Sequence, residues 1–339
     1  MIGIRVDAND TIAMGHLMRC MSIARQLNRN DVFFIVSDEC AKDILDKNEF
    51  SSICMDNDYT HKEDELDELI DIIKDNNIDR LLIDSYEITL KYFEDIGKYT
   101  RIIYIDDINK FKYPVDVIIN YTYNADMSLY DKWNYNDKSV EFYLGSKYVP
   151  LRSEFAEDRI DIKNKVESIF ITTGGTDSYS IVLKLLERMK LGKFDNIKKN
   201  IVIGNFYKDR DILDEIANAD NTISVYQNIP NICEIMRKSD VAISAGGTTL
   251  AELCACGLPT VCFAMADNQL SGTRAYSSDG VMLYAGDVRE NTDAIVDNII
   301  KQIEYLCNNY NIRAEMGYNA KKIIDGKGAE RIAKSIIES

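Results

Sequence analysis

Short, unbroken runs of apolar residues alternate along the chain with stretches in which apolar residues recur every three or four positions. An unbroken run of about four to eight apolar residues is typical of a strand buried on both faces, and the longer spacing is typical of an amphipathic helix. Helical patterns such as His16–Asn28 and Glu63–Asp75 separate the runs of the first half. Strands alternating with helices in this way predict a doubly wound parallel sheet. The strands predicted in the first half are Ile2–Val6, Val32–Val36, Ser52–Met55, Arg80–Asp84, Arg101–Ile105 and Val117–Asn120.

The alternation pauses over residues 145–166, where the periodicity is weak, and then resumes. We therefore predict an α/β fold with two Rossmann-like domains: residues 1–148, a linker at 149–166, and residues 167–339, with the last helix possible on either domain. Such sheets bind ligands at the carboxyl ends of their strands, so we expect a cleft where the domains face each other. The later strands are predicted at Ser168–Thr173, Ile201–Gly204, Thr222–Tyr226, Val241–Ser244, Thr260–Phe263 and Val281–Tyr284, with helices at Tyr179–Arg188, Ile232–Lys238 and Thr248–Ala255.

Length and charge narrow the functions to be considered. A chain of 339 residues fits two domains, and its formal net charge of −16 argues against a nucleic-acid or anionic-membrane partner. An acidic protein can still bind phosphate through backbone N–H groups. No signal peptide and no apolar run of membrane-spanning length is apparent, and cysteines are sparse, so we expect a cytoplasmic protein. Two histidines exclude a poly-histidine metal site, and we predict neither a metal nor a cofactor.

The first candidate motif runs from Asp7 to Cys20, leaving the first strand and entering a helix near Gly15 and His16. The positive end of a helix dipole favours a neutral imidazole, which a general base needs. A capping or packing role for His16 is the alternative. His61 lies among charged residues, so we expect it on the surface.

Two glycine-containing turns follow strands of the second half, and each leads into a helix. Free N–H groups at such turns suit a diphosphate, although an ordinary tight turn has the same pattern. Glu252 lies one turn into the second of these helices, where it fits either two ribose hydroxyls or a favourable helix-end charge. The residues of the two turns are Gly174, Gly175 and Thr176, and Ser244, Gly246, Gly247, Thr248 and Thr249.

Other polar segments are more ambiguous. Asn268 and Gln269 follow a predicted strand and offer polar groups at the same sheet edge, or form a simple polar turn. Asp56 with Asp58, and the Asp106–Asp107 pair, superficially resemble metal-binding carboxylates. In so acidic a chain we interpret both as solvated loop charge.

Taken in order, these motifs resemble the nucleotide-sugar hydrolase of the pseudaminic acid pathway, which cleaves UDP-2,4-diacetamido-2,4,6-trideoxy-β-L-altropyranose. That family is related to the lipid-linked GlcNAc transferase of peptidoglycan synthesis and shares its GT-B architecture. The resemblance spans nearly the whole chain. The matching segments are Asp7 with Gly15–Cys20, Leu82–Tyr86, Ile105–Asp107, Ile118–Tyr121, Tyr148–Phe155, Gly174–Asp177, Ala242–Leu253, Ala266–Gln269 and Ile324–Ala329.

The resemblance implies that His16 is the general base and that the second domain holds UDP, with Glu252 on the ribose. It also implies that Arg152 and Asn268 line the substrate pocket. It places Asp84, Tyr86 and Asn120 near the sugar. Two positions depart from the family pattern: Ala13 replaces a usual glycine, and Ser85 replaces a bulkier polar residue.

The predicted function is therefore hydrolysis of a UDP-sugar at its anomeric carbon with inversion, without a metal. The sole predicted partner is the small-molecule UDP-sugar. Two alternatives are a GT-B glycosyltransferase that uses a UDP-sugar in surface polysaccharide synthesis, and a UDP-sugar-binding protein without catalysis. The acidic charge argues against the basic patch that a lipid acceptor favours.

Overall fold

A computed structural model describes residues 1–7, 14–55, 57, 61–135, 140–157, 162–190 and 192–338. The chain forms two units, the first made of Met1–Ser153 with Gly326–Ser339 and the second of Glu154–Asp325. Each unit is built around a parallel sheet with helices between successive strands. The chain thus passes from the first unit to the second once and returns once.

The sheet of the first unit has seven parallel strands within the described residues, in the order β3-β2-β1-β4-β5-β6-β7. Five of them are among its most apolar segments and are almost wholly buried, as the unbroken apolar runs predict. The strands are β1 Ile2–Val6, β2 Val32–Val36, β3 Ser52–Cys54, β4 Arg80–Asp84, β5 Arg101–Ile105, β6 Val117–Asn120 and β7 Glu141–Leu144. The first helices are α1 Gly15–Ala24, α2 Glu39–Lys47, α3 Leu66–Asp75 and α4 Leu90–Ile96.

Two features of this unit differ from the sequence prediction. The strand β7 was not predicted, because its residues are only half-buried and it lies at the sheet edge. The helix predicted over His16–Asn28 ends at Ala24, because Asn28 instead caps a following 3₁₀ turn by accepting the Asn30 N–H (3.3 Å). Short 3₁₀ helices lie at Arg29–Asp31, Lys62–Glu65, Met127–Trp133, Ser146–Tyr148 and Ser153–Ala156.

A set of buried charges lies at the end of β1. The Arg5 guanidinium donates to both oxygens of Glu65 (2.8 and 2.7 Å) and lies 2.8 Å from an oxygen of Asp7. The ammonium of Lys62 donates to Asp7 (2.8 Å), and the Tyr92 hydroxyl donates to Glu65 (2.5 Å). All five side chains are buried. Two cations therefore compensate two carboxylates inside the unit, as buried ions require.

The sheet of the second unit has six parallel strands within the described residues, in the order β10-β9-β8-β11-β12-β13. Mostly aliphatic side chains form a large cluster in its core. The strands are β8 Ser168–Thr172, β9 Lys198–Ile203, β10 Ile223–Gln227, β11 Val241–Ala245, β12 Thr260–Ala264 and β13 Leu283–Asp287. The helices are α5 Ile181–Met189, α6 Arg210–Ala219, α7 Ile232–Lys238, α8 Thr249–Ala255, α9 Asp267–Ser278, α10 Thr292–Asn308 and α11 Tyr310–Ile323.

The last helix, α12 Gly328–Glu338, belongs to the first unit although it follows the second in sequence. Its apolar face contributes Ala329, Ile332, Ala333 and Ile336 to the core around β1 and α1. Gly328 lies against Val149, where an added Cβ would come within 2.1 Å of the Val149 carbonyl oxygen. Across the described residues, no helix combines the length and apolarity needed to cross a bilayer.

Candidate active site

The first helix of the chain begins at the carboxyl edge of the first sheet and carries a histidine there. His16 is the second residue of α1 and is 8% exposed. The strand β4 lies beside β1, with Val6 opposite Asp84, so the last residue of β4 reaches the start of α1. The His16 Nδ1 atom lies 2.7 Å from Oδ1 of Asp84, which is 1% exposed. The expected placement of His16 at a helix N-terminus is confirmed.

Arg19, three residues after His16 on the same helix, connects this pair to the neighbouring strand ends. Its Nε donates to Oδ2 of Asp84 (2.5 Å), and its Nη2 also donates to Oδ1 of that carboxylate. Its Nη1 donates to Asp107 (2.8 Å) and to the hydroxyl of Tyr121, whose ring also lies against the guanidinium. Burial alone would raise the pKa of Asp84, but Arg19 and the bond from His16 together lower it.

Tyr86 extends the same network towards solvent. Its hydroxyl donates to Oδ2 of Asp107 (3.0 Å), and its ring meets the His16 ring edge-on at a centroid distance of 4.6 Å. Burial, followed by the charge of Asp107, raises the pKa of Tyr86 to about 12, so its hydroxyl remains protonated and can donate near neutral pH. The residue is 43% exposed, so part of Tyr86 is open to a ligand.

Sequence reasoning missed Arg19, Asp107 and Tyr121 as members of this site. The available signal was the spacing of Arg19 from His16, since residues three apart share a helix face. Our interpretation of Asp106 and Asp107 as solvated loop charge was wrong. Asp106 is fully buried and accepts hydrogen bonds from the hydroxyls of Tyr113 (3.0 Å) and Tyr130 (2.7 Å), while Asp107 pairs with Arg19. Asp106 thus supports the fold and Asp107 belongs to the site. Among the described residues, no group of three or more His, Cys, Asp or Glu side chains could hold a metal ion.

Two other predicted residues of the first unit lie differently. Asn120 is 3% exposed; its amide donates to the Tyr130 hydroxyl (3.1 Å), and its oxygen accepts the Thr122 N–H (3.0 Å). It therefore supports the loop after β6 and does not present a free polar edge. Arg152 is half-buried in the segment that follows β7. Ala13, Asp56 and Asp58 lie outside the described residues.

In the second unit, the predicted turns follow β8 and β11, which are neighbours in the sheet. Gly174 (φ +80°) and Gly247 (φ +150°) have backbone conformations that favour glycine, and added Cβ atoms there would meet nothing within 4 Å. The backbone at these points is therefore open to a ligand. Gly204, which sequence reasoning did not assign to the site, follows β9 and packs directly on the first turn. An added Cβ there would come within 2.5 Å of the Gly175 backbone.

The segment after β12, the strand next to β11 in the sheet, packs closely against the second glycine turn, Gly246–Gly247. An added Cβ at Gly246 would lie 2.7 Å from Cβ of Gln269, in the first turn of α9. The Gln269 side chain accepts the Met265 N–H (2.8 Å), so its oxygen serves the turn itself. Asn268 beside it is exposed. The structure thus brings Gly246 and Gln269 together at one edge, as the parallel-sheet pattern predicts.

The remaining predicted residues of the second unit differ in exposure. Thr176 and Thr248 are exposed, and Thr249 and Glu252 are half-buried in the first turn of α8. Ser244 is fully buried, and its hydroxyl donates to the Ala245 carbonyl (2.9 Å). Ser244 therefore lies behind the turn, because alternate residues of β11 face opposite sides of the sheet.

Solved structures with two sheet-containing units match the whole chain. MurG of Acinetobacter baumannii matches 100% of this chain and 99% of its own, at 12% identity and a TM-score of 0.71. UDP-GlcNAc 2-epimerase of Neisseria meningitidis, solved bound to UDP-GlcNAc, matches 100% of both chains at 13% identity and a TM-score of 0.70. The chain has the GT-B fold. This confirms the fold class expected from the sequence, and the low identities extend the likeness no further than fold.

Sequence relatives of this GT-B chain are distant. It is 29% identical over 276 residues to uncharacterized protein MJ1062 of Methanocaldococcus jannaschii, covering 77% of this chain and 54% of that relative. It is 22% identical over 340 residues to the spore coat polysaccharide biosynthesis protein SpsG of Bacillus subtilis, covering 98% and 96%. It is 25% identical over 250 residues to the UDP-2,4-diacetamido-2,4,6-trideoxy-beta-L-altropyranose hydrolase of Campylobacter jejuni, covering 73% and 85%. The chain spans about half the length of the first of these relatives.

A family model described as a protein of unknown function (DUF354) matches residues 167–322, most of the second unit. The GT-B chain is therefore a distant homologue of UDP-sugar hydrolases, of a polysaccharide biosynthesis protein and of uncharacterized proteins.

Proposed function

We propose that the protein is a nucleotide-sugar hydrolase that releases UDP from a UDP-linked diacetamido-trideoxyhexose. The observation that carries the proposal is the buried His16, held by the Asp84 carboxylate at the carboxyl edge of the first sheet. A histidine oriented by a carboxylate is a recurrent arrangement for proton transfer. The distant homology to the Campylobacter jejuni hydrolase supports the substrate class and, with it, a role in pseudaminic acid biosynthesis.

In the proposed reaction His16 takes a proton from water as the water oxygen attacks the anomeric carbon. The bond from that carbon to the UDP oxygen breaks on the opposite face, so the anomeric configuration inverts. UDP leaves with the electron pair of the broken bond, and the proton remains on His16 until it passes to solvent. The exposed Tyr86 ring next to His16 is suited to contact the sugar, and the same role is proposed for Asn268 and Arg152.

The second unit is proposed to hold the nucleotide. The turns at Gly174–Gly175 and Gly246–Gly247 lie at adjacent strand ends, and the N–H groups of the exposed Gly175 and Gly247 are proposed to stabilise the leaving diphosphate. The N–H groups of Gly174 and Gly246 already donate to the Thr172 hydroxyl (3.2 Å) and the Phe263 carbonyl (2.8 Å). Glu252, in the first turn of α8, is proposed to accept the two ribose hydroxyls. The solved GT-B structure that contains UDP-GlcNAc supports a nucleotide-binding role for this fold.

The decisive test is incubation with UDP-2,4-diacetamido-2,4,6-trideoxy-β-L-altrose, with EDTA present and no acceptor, followed by NMR of UDP and of the free sugar. We expect both products, with the inverted anomer formed first. His16→Asn should lower turnover about 10²–10⁴-fold, the usual worth of a general base, and leave UDP affinity nearly unchanged. His61→Asn is the matched control, because His61 is exposed.

Wild-type turnover in His16→Asn would remove His16 from the reaction. UDP binding without release of the sugar would favour the second candidate, a glycosyltransferase. The observation that favours this candidate is the match over 98% of the chain to a polysaccharide biosynthesis protein. Addition of sugar acceptors to the same assay, with detection of a transferred sugar, separates the two functions. UDP binding with neither release nor transfer would indicate a binding protein.

A further inference from the structure

Two neighbours of the His16 ring require opposite hydrogen-bonding roles of the same nitrogen, Nδ1. Nδ1 lies 2.7 Å from Oδ1 of Asp84 and 2.9 Å from Nη2 of Arg19. A carboxylate only accepts hydrogen bonds and a guanidinium only donates them. Nδ1 therefore carries a hydrogen if it bonds to Asp84, and lacks one if it bonds to Arg19.

The remaining contacts of Arg19 and the charge of Asp84 together decide between these arrangements. Four of the five Arg19 hydrogens have acceptors, because Nε and Nη2 each donate to Asp84 and Nη1 donates to Asp107 and Tyr121. Only the second Nη2 hydrogen is left for Nδ1. The pKa of Asp84 is lowered against the opposing effect of burial, so this carboxylate is ionised and attracts further donors. A hydrogen on Nδ1 gives Asp84 such a donor, whereas a bare Nδ1 would face a carboxylate oxygen at 2.7 Å.

We propose that Asp84 and Arg19 are positioning residues that fix the proton of neutral His16 on Nδ1 and leave Nε2 as the proton acceptor. Asp84 holds the ring and selects the nitrogen. Arg19 compensates the charge of Asp84 and Asp107 and holds the Asp84 carboxylate in place against the ring. The role in catalysis rests on the proposed function, but the proton position does not.

The charged and titratable groups around the ring, among the described residues, come from four elements. Arg19 and Cys20 lie on α1, and the Cys20 thiol is 3.4 Å from Oδ2 of Asp84. Tyr86 follows β4 with its ring edge-on to the imidazole. Asp107 contacts both Arg19 and Tyr86, and Tyr121 contacts Arg19. Arg19 is the one cation in this group. Its planar fork pairs with Asp84 through two nitrogens while a third reaches Asp107, which a lysine cannot reproduce.

The chain is well suited to a direct test, because it contains only two histidines. Nitrogen-15 NMR of the imidazole side chains distinguishes a protonated from a bare ring nitrogen, and the His16→Asn variant assigns the signals. For the wild type we expect neutral His16 to carry its proton on Nδ1, and the exposed His61 serves as the internal reference. A wild-type proton on Nε2 overturns the proposal, and if His16→Asn does not fold, a variant of the exposed His61, His61→Asn, assigns the same two sets of signals.

Two variants test the separate roles. In Asp84→Asn the amide can donate to Nδ1, so the proton should move to Nε2, and hydrolysis should fall about 10²–10⁴-fold because the base is blocked. In Arg19→Gln the Asp84 carboxylate loses the two donors that hold it against the ring, so the nitrogen-15 signals should show a smaller fraction of His16 with its proton on Nδ1. Arg19→Lys should restore part of that fraction. An unchanged Nδ1-protonated fraction in Arg19→Gln overturns the role of Arg19.

The two readouts also separate this inference from the proposed function. If the proton lies on Nδ1 and responds as expected while no UDP-sugar is cleaved, the hydrolase proposal fails and the positioning roles stand. If hydrolysis depends on His16 but its proton lies on Nε2, the positioning proposal fails alone.

Discussion

Arg5 and Arg19 have the same electrostatic role at two places in the first unit. Each guanidinium lies between two carboxylates, the buried Arg5 with Asp7 and Glu65, and the half-buried Arg19 with Asp84 and Asp107. Breaking such a pair by removing one partner leaves an uncompensated buried charge, which costs far more than the loss of a surface pair. Arg5 therefore compensates charge in the interior of the first unit, and Arg19 does so beside the candidate base.

Glu65→Gln should therefore destabilise the protein strongly. It leaves Arg5 and Lys62 with a single compensating carboxylate, and we expect the free energy of unfolding to fall by about 3–5 kcal/mol. Glu68→Gln, an exposed change in the neighbouring helix, should alter it by less than about 0.5 kcal/mol. Urea denaturation measures both variants. Equal effects would show that the buried carboxylate has no special contribution.

The same carboxylate predicts how stability depends on pH. Burial would raise the pKa of Glu65, but Arg5 and then Lys62 lower it below the ordinary value of 4.5. The unfolded chain therefore binds a proton at a higher pH than the folded chain, so stability is full above about pH 4.5 and falls as the solution is acidified through the folded value. In the wild type, the urea concentration at the unfolding midpoint should decrease as the pH is lowered from 4.5. The decrease should be smaller in Glu65→Gln. Parallel curves for the two proteins would contradict this.

The candidate site was predictable from the sequence only where a residue is marked by its local pattern. His16 follows a strand and starts a helix, and the glycine turns sit between strand and helix, so their position at the sheet edge was correct. The roles of Arg19 and Asp107 depend on the order of β1, β4 and β5 in the sheet, which residue spacing does not specify. Ser244 and Asn120 have suitable chemistry but face inward, which depends on packing.

At the scale of elements, the strands with unbroken apolar runs were predicted well, because burial on both faces leaves few other options. The exceptions are at the margins. The edge strand β7 is only half-buried, and the predicted strand Val281–Tyr284 instead begins at Leu283, because Val281 and Met282 pack inward after the turn at Gly280 (φ +66°). The unit to which a helix belongs, as with α12, is set by tertiary contacts between residues distant in sequence.

The helix α12 offers a matched pair of variants. Ile332 is fully buried in the core of the first unit, whereas Ile337 on the same helix is 58% exposed. We expect Ile332→Ala to lower the free energy of unfolding by about 2–5 kcal/mol, because it leaves a cavity, and Ile337→Ala to have almost no effect. Denaturation followed by fluorescence of Trp133, which lies in the first unit, reports the change. Similar losses in both variants would mean that α12 does not pack as described.

At the scale of the whole molecule, each unit has its own hydrophobic core, and the sole tryptophan of the chain lies in the first. Trp133 emission therefore follows the first unit, while far-ultraviolet circular dichroism follows both. A ligand that binds only one unit should shift the transition of that unit.

UDP should raise the stability of the second unit. At 100 times its Kd it should add about 2.7 kcal/mol, seen as a shift of the dichroism transition with little change in the Trp133 transition. Glu252→Ala should reduce the shift because it weakens UDP binding, and the exposed Glu315→Gln is the control. A UDP shift that is confined to Trp133 emission would place the nucleotide in the first unit and contradict the assignment.

The return of α12 has a consequence for the order of events during synthesis on the ribosome. Domains generally fold as they emerge, the N-terminal one first. Here Ile332 and Ile336 are needed to complete the core around β1, and they are made only after every residue of the second unit. The unit that begins the chain is therefore the last to be completed, and until then its nascent sheet exposes the apolar surface that α12 covers. A chain that is interrupted before α12 would release a finished second unit attached to an unfinished first one, a clear substrate for chaperones and proteases.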